Sequence, residues 1–148
     1  MTDPIGLART ALAAFASGDT SAAERFIGPD YANLESTDRT GLRGPAEFRK
    51  TIDWIHESFA DLRYDEIAML ADGEQVVAWV VMHGTHVAPF LGLAPEGRTF
   101  AVEQVHLFRI ADGRLAGHRA VRDDLRLLLS LGARVTRREG TALKVHHR

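Results

Sequence analysis

Three polar side chains that could do chemistry, Gln104, His106 and His118, lie within one stretch, EQVHLFRIADGRLAGHRAVRDD (103–124). An amide and two imidazoles can orient a substrate's oxygens, and imidazole is the side chain that titrates near neutral pH. If 99–110 is a strand, its side chains alternate. Phe100, Val102, Gln104, His106 and Phe108 then share one face, and Glu103, Val105, Leu107 and Arg109 the other. An apolar wall with a few convergent polar groups is what a small-molecule site looks like. A single buried Gln or His often only satisfies backbone groups, so the signal is the grouping of three.

Asp112-Gly113 marks the hairpin turn, and the loop length decides what lies opposite. A two-residue loop would pair His106 with Arg119. A three-residue loop, with Gly113 in a left-handed bulge, would pair His106 with His118 and Gln104 with Ala120. The second is preferred because it collects the polar groups on one face.

Other candidates carry weaker signals. His83 and His86 form H-x-x-H, but in a strand this spacing sends the rings to opposite faces, and zinc ligands must converge. Asp123 precedes a leucine-rich segment and suits a helix N-cap as well as acid/base work. Trp54 and Trp79 could stack on a flat ligand or fill the core. Asn33 could bond a ligand or its own turn. Helical H-E-x-x-H, glycine-rich phosphate loops and G-x-S-x-G are absent.

The elements that must position these groups follow from periodicity. Leu7, Ala8, Ala11, Leu12 and Phe15 predict a helix from Pro4 to about Ser17, stopped by Gly18. Ser21 with Glu24 is a capping-box pattern for a second helix that ends at Gly28-Pro29. DYANLE is a short extended piece. Gly44-Pro45 opens a third helix with a stripe at Phe48, Ile52, Ile55 and Phe59. Strands are expected over 62–71, through QVVAWVVMHGTHV, over 99–110 and over 114–121, the second of them covered on both faces. A leucine-rich helix follows and stops at Gly132. Helices followed by a run of antiparallel strands is an α+β pattern.

A chain of 148 residues, 45% apolar and 26% charged, fits one globular domain, here 1–132 with a basic, flexible tail over 133–148. A net charge of −2 gives no basic field for nucleic acid or membrane. The absence of cysteine excludes disulfides, thiolate metal sites and a cysteine nucleophile. With no apolar run of membrane-spanning length and no signal-peptide pattern, a cytoplasmic protein is expected.

Taken in order, AAFASGD, PDYANLE, RGPAEFRKTIDWI, HGTHVAPFLGLAPEGRTF, EQVHLFRIADGRLAGHR and LLSLG resemble the SnoaL-like polyketide cyclases of the nuclear-transport-factor-two-like superfamily, from about Leu7 to Gly132. The resemblance implies a cone-shaped α+β barrel, a curved antiparallel sheet closed by N-terminal helices around a cavity. It also implies a homodimer or homotetramer, an aromatic, anthracycline-type polyketide as substrate, and no bound cofactor or metal. Gln104 and His106 match the pocket glutamine and histidine of the cyclases, and Asn33 their asparagine. Trp54, His86, Phe90, Phe108, His118 and Ala120 are expected on the substrate-binding wall.

The cyclases carry an acid/base aspartate directly after the HR pair, where this chain has Ala120. HRAVRDDL looks more like a second branch, the hydroxylases of anthracycline tailoring. The resemblance therefore points first to hydroxylase-like chemistry without bound cofactor, using molecular oxygen and, for a reduced substrate, a partner reductase with its nicotinamide cofactor. The alternatives are an intramolecular aldol cyclase whose base is His106, His118 or Asp123, and a non-enzymatic small-molecule binder.

Overall fold

The computed structural model describes residues 3–34, 41–136 and 144–146. Helix α1 (Pro4–Ser17) starts with proline in its first turn and ends where Gly18 takes φ 77° and donates to the Ala14 carbonyl. Its Ala8, Ala11, Leu12 and Phe15 are buried, as their spacing demands. Helix α2 is only Ala23–Phe26, and Ser21 does not cap it. Instead the Ser21 amide donates to Asp19 Oδ1 at 2.9 Å, so the expected capping box is not formed. Strand β1 (Ile27–Asn33) follows at once, so Gly28-Pro29 lies inside a strand rather than ending a helix. Proline is tolerated there because β1 is an edge strand.

Helix α3 (Gly44–Ser58) runs directly into β2 (Phe59–Asp72). Gly44 has φ 67°, and a Cβ there would lie 2.7 Å from the Pro29 carbonyl oxygen, so only glycine fits where α3 meets β1. Phe48 and Ile52 are buried beneath α3, while Phe59, the last of the predicted stripe, belongs to the strand. Strands β3 (Gln75–His86), β4 (Thr99–Ala111) and β5 (Arg114–Arg122) complete the sheet. Helix α4 (Asp124–Ser130) follows. In the tail, β6 (Arg134–Thr136) and β7 (Lys144–His146) pair antiparallel with each other.

The sheet order is β1-β5-β4-β3-β2, antiparallel except for the parallel β1–β5 edge. The sheet is curved but does not close on itself, and α1 and α3 pack over its inner face. Even-numbered residues of β3 and β4 point inward. Val76, Ala78, Val80, Met82, Val102 and Phe108 are buried there. The outer face of β3 is not fully covered as expected: Trp79 stays 42% exposed, its indole N–H donating to Glu103 Oε2 at 3.2 Å. Among the described residues no helix is long and apolar enough to cross a membrane.

Neither simple hairpin register is adopted between β4 and β5. The loop has two residues, Asp112 (φ 49°) and Gly113 (φ 71°), with Ala111 opposite Arg114. A bulge then shifts the pairing, from Ile110 opposite Leu115 to Arg109 opposite Gly117, and takes up Ala116 as the extra residue. His106 consequently faces Ala120, Phe108 faces His118 and Gln104 faces Arg122. The three-residue loop is thus wrong, yet the bulge at Ala116 restores the parity that loop would have given, with even-numbered residues opposite one another. Without it, His118 would turn to the outer face.

Gly84 marks close packing at the other end of β3. A Cβ there would meet Phe100 Cζ at 2.7 Å and Leu62 Cδ2 at 3.0 Å. Gly84→Ala is expected to destabilise the protein by about 1–3 kcal/mol through overpacking. A lower denaturation midpoint with unchanged m-value is the signature; an unchanged midpoint would show that Phe100 moves aside freely.

Candidate functional site

A cavity of about 280 Å³ lies between the sheet, α1, α3 and α4. Phe15, Ile55, Phe59, Met82 and Phe90 give it an apolar wall, with Trp54 from α3 and Tyr64 from β2. Gln104 and His106 enter from β4, and Asn33 from the end of β1. Lys50, Arg122 and Asp124 also line it. Arg122 Nε lies 3.3 Å from Asp124 Oδ1.

The polar groups form one connected row. Gln104 Oε1 lies 2.9 Å from His106 Nε2, and His106 Nδ1 lies 2.8 Å from His118 Nε2. His118 Nδ1 is 3.2 Å from Asn33 Oδ1. Asn33 Nδ2 donates to Thr51 Oγ1 at 2.8 Å, and Thr51 Oγ1 donates to the Glu47 carbonyl at 3.2 Å. Aromatic rings enclose the imidazoles. Phe108 stacks on His106 with centroids 6.1 Å apart, Tyr64 meets it edge-on at 6.2 Å, and Phe15 contacts both histidine rings.

This surrounding sets the electrostatics. Burial, with a smaller contribution from the Arg122 charge, pushes the His106 imidazole down to about 4. Burial, then His106 and Arg122, holds His118 well below the ordinary histidine range. Both rings are therefore neutral near pH 7. Burial pushes the Tyr64 phenol up, so it remains a hydroxyl.

The predicted residues divide by location. Asn33, Trp54, Phe90, Gln104 and His106 line the cavity. His118 and Phe108 are packed against His106 rather than on the lining. Ala120 is buried opposite His106 and presents only a methyl group. His86 is not brought to the cavity: it is fully buried against Phe59, and among the described residues neither ring nitrogen has a hydrogen-bond partner. His83 lies on the other face of β3, 2.9 Å from Asp65 Oδ2, as alternation requires. Asp123 is not brought in either. It caps α4, where its carboxylate accepts the Arg126 amide at 3.0 Å, and the backbone position suits that cap rather than acid/base work in the cavity.

Tyr64, Thr51, Lys50, Arg122 and Asp124 escaped the sequence reading. Arg122 had a usable signal, because it continues the inward alternation of His118 and Ala120 once the strand is extended by one residue. Among the described residues no group of three or more His, Cys, Asp or Glu side chains could hold a metal ion.

Comparison with known proteins gives the family. The model of the SnoaL-like polyketide cyclase family matches residues 6–131. The nogalonic acid methyl ester cyclase of Streptomyces nogalater is 34% identical over 122 residues, covering 82% of this chain and 91% of the relative. The aklanonic acid methyl ester cyclase AcmA of Streptomyces galilaeus is 33% identical over 120 residues, covering 80% and 83%. The structure of AclR from Streptomyces galilaeus, assigned provisionally as a hydroxylase, superposes with a TM-score of 0.71 at 23% identity, covering 87% and 95%. At that identity the AclR likeness speaks for the fold alone. The family match and the cyclase relatives, on an open-sheet α+β fold with a polar row inside an apolar cavity, make the chain a polyketide-tailoring enzyme that belongs to the SnoaL-like polyketide cyclase family.

Proposed function

We propose that the chain is an intramolecular aldol cyclase of an aromatic polyketide ester, with His106 as its acid/base group. The observation that carries this reading is the neutral His106 imidazole on the wall of an apolar cavity, opposite Ala120, which offers only a methyl group where the resemblance implies an aspartate. The names of the cyclase relatives supply the ester and the ring-closing reaction.

The step balances without an oxidant. His106 removes a proton from the carbon α to a carbonyl, and the C–H electron pair becomes an enolate. The enolate carbon attacks a ketone of the same molecule, forming a C–C bond while the ketone π pair becomes an alkoxide. The imidazolium then returns the proton to that alkoxide. Gln104 Nε2 sits 3.1 Å from the Met82 sulfur, a weak acceptor, so its amide protons are available to the substrate's oxygens. Arg122 lines the same cavity and offers a fixed positive charge to the enolate or alkoxide. Trp54 and Phe90, in ring contact at 5.5 Å, supply flat apolar surface for an aromatic substrate.

The test is the mass of the product from an open-ring anthraquinone polyketide methyl ester, with and without oxygen and a reductase. The expected product has unchanged mass and one ketone fewer, formed equally without oxygen. Ala120 favours a second reading, hydroxylation, whose product is one oxygen heavier and needs oxygen; that result would overturn the cyclase. Tight binding without conversion would leave a ligand carrier.

A further inference from the structure

We propose that Thr51, Asn33 and His118 are positioning residues that fix the tautomer of His106 and leave its Nε2, the nitrogen beside Gln104, as the basic one. The inference rests on the His106 reading above and deepens it. A backbone carbonyl only accepts, so the Thr51 hydroxyl spends its one proton on the Glu47 carbonyl at 3.2 Å. Thr51 Oγ1 then accepts from the Asn33 amide at 2.8 Å. The Asn33 amide oxygen is thereby turned to His118, whose Nδ1 must carry the proton between them at 3.2 Å. A neutral His118 leaves a lone pair on Nε2, which accepts the Nδ1 proton of His106 at 2.8 Å. A neutral His106 so arranged has its lone pair on Nε2.

The last link shows what this arrangement is for. His106 Nε2 faces Gln104 Oε1 at 2.9 Å, and a lone pair facing an amide oxygen is not a hydrogen bond. The contact becomes one in either of two ways. Gln104 can turn its amide by half a rotation and donate N–H to the neutral ring. Alternatively, Nε2 can hold a proton and donate to Oε1. Between two acceptor oxygens, those of Gln104 and Asn33, the two rings make three hydrogen bonds only when they hold three N–H protons, one more than two neutral imidazoles carry. The row is therefore complete when one proton has been accepted. It is a seat for the proton taken from substrate, with His118 and Asn33 standing behind His106 where a carboxylate would otherwise stabilise the imidazolium. The reverse direction needs Thr51 to give its proton to Asn33 instead of Glu47, and it places N–H on Nε2 with no base beside Gln104.

Nitrogen-15 NMR of the histidine-labelled protein near pH 7, without ligand, decides between the two directions. The expected spectrum has His106 protonated at Nδ1 and unprotonated at Nε2. In Thr51→Val the same ring is expected to show a mixture of tautomers and kcat to fall about tenfold with KM little changed, while Thr51→Ser, which keeps the hydroxyl, returns the parent tautomer. A parent His106 protonated at Nε2 overturns the relay, as does a Thr51→Val tautomer unchanged from the parent. The spectrum needs no turnover, so a wrong tautomer removes the relay while leaving ring closure standing. Absent ring closure with the expected tautomer removes the cyclase alone.

Discussion

His106→Phe is expected to lower kcat/KM for ring closure by about 10²- to 10⁴-fold, the usual contribution of a general acid/base group. Phenylalanine keeps a flat ring beside Phe108 and Phe15, so the apolar packing of the wall survives. What goes is the proton seat. Ala120 presents only a methyl group, Asp123 is tied to the Arg126 amide at 3.0 Å, and the cavity carboxylate of Asp124 is paired with Arg122 at 3.3 Å, so His106 is the base with nothing acidic or cationic bonded to it. The change also leaves His118 Nε2 and Gln104 Oε1 without the ring they contact, and an orphaned buried polar group costs about 1–3 kcal/mol. Circular dichroism and a thermal melt therefore accompany the assay, separating lost chemistry from lost fold. A folded His106→Phe that keeps more than a tenth of the parent kcat/KM would exclude His106 as the base.

The pocket face of β4 was legible because alternation is a local rule. Phe100, Val102, Gln104, His106 and Phe108 all point inward, as their even numbers require. The pairing across the hairpin was not legible in the same way. A bulge at Ala116 leaves no mark in composition, yet it decides that Ala120, and not Arg119, stands opposite His106. Arg122 was lost to a strand ended one residue short. Tyr64 was lost because β2 changes register between Ala60 and Arg63 and again between Glu66 and Ala68, which breaks the alternation that would have announced it. Thr51 lies beside the apolar stripe of α3 and reads as an ordinary polar helix residue; only β1 placed alongside gives it a partner in Asn33. His86 shows the opposite failure. It has the inward parity of the site residues but lies beyond them along β3, against Phe59, where among the described residues neither ring nitrogen finds a hydrogen-bond partner.

Acidification should weaken the fold well before the surface carboxylates titrate. The His106 imidazole is held down to about 4 in the folded protein, chiefly by burial, against an ordinary value near 6.5 in the unfolded chain. Between those values the unfolded chain binds the proton and the folded one does not. Unfolding free energy therefore rises with pH across that window and is lost as pH falls from about 6.5 toward 4. The full contribution of His106 is roughly 3 kcal/mol by the linkage relation, and His118, pushed down in the same direction, adds to it. Asp19, Glu24, Asp65 and Glu66 are held below their ordinary range by hydrogen bonds and arginine partners, and their stabilising effect disappears only at lower pH. The interval from pH 6.5 to 4.5 thus belongs to the histidines. Urea unfolding of the parent should show a steep loss of stability there, and His106→Phe a shallower one, so that the two curves converge as pH falls. Parallel curves over that interval would mean that His106 takes up its proton as readily inside the cavity as in water. The contacts to His118 and Gln104 would then offset burial in full, and the apolar surround would not be what keeps the ring neutral.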